Sequence, residues 1–282
     1  MFDVSQWSGA LPSRELVDGV RSRLPDDFSR RQLDGALAVL TQENNPARAN
    51  QSASSFRELI AHVLETMAPD ADVMRCTWFK QDKNIEGPTR RQRALYACRG
   101  GLTDEFLKDR VGIKPETLHA GLGPAFQELN KRTHVRPDTE LKTDEEIEEF
   151  AETALAALED LFETIDEMKG RVATALSRAL SGAATGAFIN QTIAELDEIS
   201  GRYETGIVLI DDPEILSLEA DRIRCRFTGT VGVTLMAGGG HDPVEFHNSF
   251  PFDCETSAPA MTPEAFDAAD TTVEVDVSSW RE

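Results

Sequence analysis

One stripe of apolar residues in the middle of the chain constrains the fold more than any other feature. Between residues 147 and 179, apolar side chains recur alternately four and three residues apart. This spacing places them on one face of a single helix of more than thirty residues. The members of the stripe are Ile147, Ala151, Ala154, Leu158, Leu161, Ile165, Met168, Val172, Ala175 and Ala179. Such a helix packs against other helices or against a second copy of itself, and its length favours a homodimer.

Local signals place shorter helices around this one. Thr143 and Glu146 stand three residues apart, the pattern of a capping box at the start of the long helix. Upstream, apolar spacing predicts helices over residues 13–24, 29–40, 47–67, 89–99 and 115–131, with irregular structure over 70–88. Gly182 is expected to end the long helix, and a last helix is expected to run to about residue 200.

After residue 203 the apolar period changes from 3.6 to 2. Ile223, Cys225 and Phe227 alternate with arginines, and Gly238–Gly240 suggests a turn between two strands. The sequence therefore predicts an α+β protein, with an N-terminal helical domain that contains the long amphipathic helix and a C-terminal antiparallel β-sandwich or barrel. We expect three parts: a helical N-terminal arm at 1–45, an α-helical domain at 46–202 and an all-β domain at 203–282.

The net charge of −21 is unevenly distributed. Residues 138–168 hold thirteen acids and one base, and residues 203–282 hold sixteen acids and four bases. The rest of the chain is therefore slightly positive. This distribution argues against nonspecific capture of nucleic acid by the whole surface, but it leaves room for a local basic site.

Several classes of site lack their usual sequence signals. The four cysteines are far apart without a CxxC pair, which argues against a structural zinc site. The five histidines show no HExxH or HxH spacing, so we assign no metal ligand, and a mixed histidine and carboxylate site stays open as the alternative. No residue pattern indicates a cofactor, and nothing favours a small-molecule enzyme. With no readable signal peptide and no long uninterrupted apolar run, we expect a cytoplasmic protein that does not enter a membrane.

Arg57 and His62 form an Arg-x4-His pattern on one predicted helix. The pattern resembles that of the metal-independent HEPN ribonucleases, in which a histidine can move a proton and an arginine can hold the scissile phosphate. Residues five apart on a helix project about 140° from one another. The alternative interpretation is a chance pairing of an exposed arginine with a partly buried histidine.

A second candidate histidine, His134, follows the two cations Lys131 and Arg132 at the end of a predicted helix. It can serve phosphodiester chemistry if folding brings it near His62. Alternatively, its charged form suits the helix C-terminus.

The densest basic cluster contains Arg90, Arg91 and Arg93 at the start of another predicted helix. Arginine side chains bind phosphate in a bidentate manner, so this cluster is a candidate phosphate or nucleic-acid site together with Lys131 and Arg132. The competing interpretation is that the cluster pairs with the acidic helix at residues 144–167 or with the acidic face of a partner.

Short segments between residues 45 and 255 resemble the predicted pPIWI-associating nucleases, bacterial proteins found around defence loci. The segments are residues 56–60, 68–70, 78–79, 89–93, 131–135, 229–235 and 249–252. The resemblance implies a role in antiphage defence with partners from the same operon, and activity on RNA or DNA. Because it brings no agreed active site, whether the protein is an enzyme stays open. The alternative function is a noncatalytic acidic adaptor that docks a partner effector.

Overall fold

The computed structural model describes residues 11–118, 143–237 and 244–280, together with residues 127, 131 and 141. The chain divides into two units. The first contains Met1–Arg75, Phe79–Arg99 and Lys114–Glu167, and the second contains Cys76–Trp78, Gly100–Ile113 and Met168–Glu282. The domain boundaries that we expect after residues 45 and 202 stay predictions.

Short helices build most of the first unit. They are α1 (Arg14–Arg23), α2 (Asp27–Leu40), α3 (Arg48–Met67), α4 (Asp70–Arg75) and α5 (Arg90–Arg99). All but α4 lie within two residues of the predicted bounds. The expectation of irregular structure from residue 70 is wrong at α4, where acids in the first turn and Arg75 in the last turn suit the helix dipole.

Helices α2 and α3 form a buried core in the first unit. Leu33 and Leu37 of α2 and Phe56 and Leu59 of α3 are fully buried. The hydroxyl of Ser52 donates a hydrogen bond to the carbonyl of residue 36 at 3.2 Å, which ties the two helices together. Each buried large apolar side chain contributes roughly 2 kcal/mol to stability. The packing of α2 against α3 therefore holds the exposed side chains of both helices in defined positions.

The long helix, α7, spans Asp144–Asn190 and contains 47 residues. It begins as predicted, because the Thr143 hydroxyl accepts the backbone N–H of Glu146 and the Glu146 carboxylate accepts that of Thr143, each at 3.2 Å. The expectation that Gly182 ends the helix is wrong. An exposed glycine inside a helix costs only about 1 kcal/mol, and the buried alanines beside it, Ala183 and Ala184, favour continuation.

The predicted stripe of α7 is buried as far as Val172. Ala175 and Ala179 are half-buried, while Leu176 and Leu180 are fully buried in their place. A straight helix with 3.6 residues per turn drifts by about 20° per heptad, which moves the buried face away from a strict 3.5 repeat. The helix is long and apolar enough to cross a membrane. Its apolar face is buried within the protein.

The second unit also contains α6 (Asp104–Phe106), which continues as a π-helical turn over Leu107–Val111, and α8 (Ala194–Ile199). A 3-10 turn at Pro115–Thr117 in the first unit stands where the helix 115–131 is predicted to begin. Most of that predicted helix lies outside the described residues, as does the turn at Gly238–Gly240.

A four-stranded antiparallel sheet dominates the second unit, in the order β1 (Tyr203–Leu218), β2 (Arg222–Ala237), β3 (Val244–Pro259) and β4 (Thr272–Val275). Strands β2 and β3 pair without a register shift, while β1 is bulged in three places. The α+β class is therefore confirmed. Among the described residues the strands form this one sheet, so the finer prediction of a sandwich or barrel receives no support.

The C-terminal half of α7 packs on the buried face of this sheet. The rings of Phe188 and Phe252 meet edge to face with their centroids 5.2 Å apart. The ammonium of Lys169 donates to the carbonyl of Leu216 at 3.3 Å. The buried side chains of β2 and β3 thus have a helix as their cover, which explains the strict alternation of buried and exposed residues along β2.

Candidate functional site

His62 is held by a carboxylate from another helix. Its Nε2 atom lies 2.7 Å from Oδ2 of Asp26, the residue that caps α2. Nε2 also lies 3.4 Å from the hydroxyl of Thr66. With its proton on Nε2 and directed at Asp26, a neutral His62 carries its lone pair on Nδ1. His62 makes no other hydrogen bond to the residues that the structure describes, and its side chain is 29% exposed. It can therefore accept a proton from a bound molecule.

Asp26 has two tasks at this position. Its Oδ1 atom accepts the backbone N–H of Ser29 at 2.7 Å, and its Oδ2 atom faces His62. The backbone hydrogen bond from Ser29 and then the contact with His62 lower the pKa of Asp26 to about 2. The carboxylate is thus ionised at neutral pH and oriented on both sides, so it can fix the ring of His62 in one tautomer and one direction.

Arg57 points to its own neighbour on α3. Its guanidinium donates to the carboxylate of Glu58 at 2.8 Å. Within the described part of the chain, no hydrogen bond or ion pair joins Arg57 to His62. The separation of about 140° between positions five apart accounts for this result. The structure thus brings His62 to Asp26 rather than to Arg57.

The cluster at the start of α5 divides into residues with different roles. Arg93 donates to the carbonyl of Ala68 at 2.7 Å and to Asp70 at 2.5 Å, and its side chain is only 12% exposed. It therefore closes the C-terminus of α3, where carbonyls lack helical partners. Arg93 is therefore neutralised by an acid of the same chain, and that acid is Asp70 rather than a residue in the acidic part of α7.

The other members of the cluster stay on the surface. Arg90 and Arg91 are exposed, and Arg91 pairs with no acid among the described residues. Thr89 and Gln92 form a capping box, because the backbone N–H of Gln92 donates to the Thr89 hydroxyl and the backbone N–H of Thr89 donates to the side-chain oxygen Oε1 of Gln92. Part of the amide-donor capacity at this helix N-terminus is therefore already used.

The two candidate groups lie apart along the C-terminal part of α3. His62 precedes Ala68, the residue that Arg93 binds, by six positions, which corresponds to about 9 Å along a helix axis. No described contact joins His62 to the arginines of α5. Among the remaining candidates, Lys131 is exposed, whereas Arg132 and His134 lie outside the described residues.

Two residues beside His62 were missed by sequence reasoning. Asp26 is 36 positions away in the chain, so no local pattern could reveal its contact with His62. Phe28 lies edge-on to the His62 ring with centroids 4.7 Å apart, and it is 44% exposed. The sequence did contain one relevant signal, the Asp26-x-x-Ser29 spacing of a helix cap. This spacing places Asp26 at the start of α2.

The second unit presents surfaces that are less suited to phosphate. The exposed arginines of β2 are matched on β3, where Asp253 accepts two hydrogen bonds from Arg226 at 3.0 and 2.8 Å. This pairing lowers the pKa of Asp253 and raises that of Arg226. Two open clefts of this unit hold more acids than bases in their walls. The acids are Glu105, Asp109 and Glu264 in one cleft and Glu195, Asp211, Asp253, Glu274 and Asp276 in the other.

No group of three or more His, Cys, Asp or Glu side chains is arranged to hold a metal ion in the described ranges. The four cysteines are buried, and none forms a disulfide within the described ranges. Burial raises the pKa of Cys98 and Cys225 to about 12. These thiols are therefore protonated at neutral pH and are poor nucleophiles.

Comparisons with known proteins complete the description of the site. No curated protein and no solved structure matches the chain. Two family models match it, the first over residues 21–158 and the second over residues 165–281, and each is described as a predicted pPIWI-associating nuclease. The first match contains Asp26, His62 and the arginines of α5. Because the two matches cover nearly the whole chain, the protein belongs to the predicted pPIWI-associating nucleases.

Proposed function

We propose that the chain is a nuclease component of a bacterial antiphage defence system, with His62 as the proton-transfer group of its catalytic site. The observation that supports this most directly is the His62–Asp26 pair, a partly exposed imidazole oriented by an ionised carboxylate. The pair lies inside the segment that matches the nuclease family. We further propose that the protein works in the cytoplasm with other proteins of its operon, and that the length of α7 suits a homodimer.

The chemistry that this pair can perform is cleavage of RNA through the 2′-hydroxyl. His62 Nδ1 takes the 2′-hydroxyl proton while the 2′-oxygen bonds to phosphorus and the bond from phosphorus to the 5′-oxygen breaks. The products are a 2′,3′-cyclic phosphate and a 5′-hydroxyl, whose proton comes from the imidazolium or from water. Asp26 stabilises the imidazolium formed in the first step. DNA lacks the 2′-hydroxyl and is not cleaved by this route.

A cleavage assay with histidine variants tests the proposal. Purified protein, alone and with its operon partners, is incubated with labelled single-stranded and double-stranded RNA and DNA. We expect RNA cleavage that falls by at least about 100-fold in His62→Ala, a typical loss for a general base. His247→Ala is the matched control, because His247 is another exposed histidine, bonded to Thr234 at 3.0 Å. Equal activity of the His62 and His247 variants would remove His62 from the mechanism.

A second candidate function, the acidic adaptor, is favoured by one surface of α7. Four exposed acids lie within about 60° of one another on this helix and pair with no base among the described residues. They are Glu145, Glu149, Asp160 and Glu163. A stripe of this kind can attract a basic partner surface, and the attraction would weaken as salt increases.

Charge reversal tests the adaptor function separately. Changing these four acids to lysine should weaken co-purification with the operon partner and reduce its salt dependence. The matched control reverses Asp197 and Glu204, two exposed acids of the second unit. If partner binding survives the reversal on α7, the stripe is only a solvated face.

A further inference from the structure

We propose that Phe28, Arg31 and His62 form a subsite for one unpaired nucleotide, so that the substrate is single-stranded nucleic acid. The inference deepens the proposed function and rests on it. The subsite would stack the base on Phe28, hold the adjoining phosphate with Arg31 and present the sugar to His62.

Phe28 lies outside the buried stripe of its helix. The leucines of α2 that face the core are Leu33, Leu37 and Leu40, and all three are fully buried. Phe28 points to another side of α2 and leaves 44% of its surface in water. A single exposed apolar residue is common and has no meaning alone. What distinguishes Phe28 is its ring contact with His62, at 4.7 Å and an interplanar angle of 67°.

Phe28 contacts the His62 ring and still leaves 44% of its surface in water, so part of the residue is open to a ligand. Base stacking on an aromatic side chain does not depend on the identity of the base, but it requires a base that is not already stacked between neighbours in a duplex. A nucleotide stacked on Phe28 would have its sugar within reach of the ring that Asp26 orients. The geometry therefore selects single strands over duplexes.

Arg31 supplies the charge that a phosphate needs. It is three residues after Phe28 on α2, so the two side chains are neighbours on the helix surface, about 5–6 Å apart at Cβ. Arg31 is exposed and pairs with no acid among the described residues. The two acids before it are already engaged, Asp26 by His62 and Asp27 by Arg30 at 2.9 Å. Arg31 is thus the cation at this turn of α2 that no described acid pairs with.

The first measurement is binding to a fluorescein-labelled 12-nucleotide RNA, followed by anisotropy, with a hairpin duplex of the same composition as the comparison. Both RNAs carry 2′-O-methyl groups, so that the proposed reaction cannot cleave them during the measurement. The wild type should bind the single strand at least tenfold more tightly. Phe28→Ala and Phe28→Leu should each lose about tenfold in affinity for the single strand, the typical value of one stacked base. Phe28→Trp should retain the affinity. Leucine keeps an apolar side chain at this position but has no aromatic face. A loss of affinity in Phe28→Leu would therefore point to the missing aromatic ring rather than to lost apolar packing.

Matched variants separate the subsite from general effects. Phe246→Ala removes another phenylalanine that is 44% exposed and lies edge-on to a second ring, that of Trp280. It should leave binding unchanged. Arg31→Gln should reduce the slope of log affinity against log salt by about 0.7, the value for one phosphate contact on a single strand. Arg178→Gln, at an exposed arginine of α7, should not change the slope.

The results distinguish this inference from the proposed function. Loss of cleavage in His62→Ala with unchanged binding in both Phe28 variants would overturn the subsite and leave the nuclease standing. Loss of binding in the Phe28 variants with full cleavage in His62→Ala would support the subsite and remove His62 from the chemistry. Equal binding of single strand and duplex, or binding of neither by the wild type, would overturn the inference.

Discussion

Asp26 and His62 face each other at 2.7 Å across two helices, although 36 residues separate them in the chain. The same carboxylate caps α2 through the backbone of Ser29. The contact thus joins the start of one helix to the middle of the next, and it makes the orientation of the histidine depend on the integrity of a helix cap.

The first prediction concerns acid stability. The pKa of Asp26 is lowered to about 2, so its contribution to stability is present above the ordinary carboxyl pKa of about 4 and is lost as the pH falls toward 2. Asp26→Asn keeps a good helix cap but cannot titrate. We expect the wild type to lose more melting temperature than Asp26→Asn between pH 5 and pH 2. Thermal unfolding by circular dichroism measures this, and parallel curves would contradict it.

A second prediction separates two neighbouring arginines. Arg93 closes the end of α3 through Ala68 and Asp70, so Arg93→Ala should lower the free energy of unfolding by about 1.5–3 kcal/mol, as expected for hydrogen bonds to a charged group. Arg91→Ala should change it by less than about 0.5 kcal/mol. Urea unfolding measures both. Equal losses would show that Arg93 is not the closing residue.

The third prediction is that alanine at two glycine positions changes the free energy of unfolding in opposite directions. A Cβ at Gly229 would lie 2.2 Å from the carbonyl oxygen of Leu209 and 2.6 Å from the ring of Phe252, so Gly229→Ala should cost about 1–3 kcal/mol. A Cβ at Gly182 would meet nothing within 4 Å. Since alanine is the better helix former, Gly182→Ala should gain about 0.5–1 kcal/mol. Denaturant melts decide both, and destabilisation by Gly182→Ala would indicate that α7 bends there.

The buried cysteines lead to a fourth prediction. Burial raises the pKa of Cys98, Cys225 and Cys254 to about 12, with nearby Asp253 and Glu255 adding to the effect at Cys254. We expect no rapid reaction with a thiol-specific disulfide reagent at pH 8 in the native protein, and four reactive thiols in guanidinium. A fast-reacting thiol in the native protein would show that one of the buried sites opens readily.

The fifth prediction concerns Glu65, an acid close to His62 on α3. Glu65 is exposed, three residues after His62 on α3, and pairs with no base in the described ranges. Its charge should repel a bound phosphate modestly, so Glu65→Gln should raise affinity for single-stranded RNA by about twofold at low salt. Asp197→Asn on α8 is the control. Weaker binding by Glu65→Gln would place the nucleic acid elsewhere.

The sequence was sufficient for the features that depend on neighbours in the chain. The capping box of Thr143 and Glu146, the helical stripe from Ile147 and the alternation along β2 all follow from spacing, and the structure contains each of them. Gly182 misled the prediction because a local breaker signal was outweighed by burial on both sides of it. Burial of this kind cannot be read from a single residue.

The candidate site was only partly accessible to sequence reasoning, since its partners come from different helices. The sequence identified His62 as a candidate, but the pattern used lies within α3 and paired His62 with Arg57. Its partner in the structure is Asp26, at the start of α2. Arg93 was included as a phosphate ligand because it stands in a basic run. Its contacts with Ala68 and Asp70 depend on the C-terminus of α3 and α4, which no local pattern places beside it.

The two family matches end and begin within α7, at residues 158 and 165, and the helix runs through both without a break. A single residue inserted into the helix at this point turns every later side chain by 100° around the helix axis. If the helix arose by fusion of two ancestral modules, the fusion therefore had to keep the buried faces of both halves in their places around the axis. Insertions of seven residues would nearly preserve the phase, whereas those of one or two would not. Natural length variation at this junction should accordingly occur in steps of whole helical repeats.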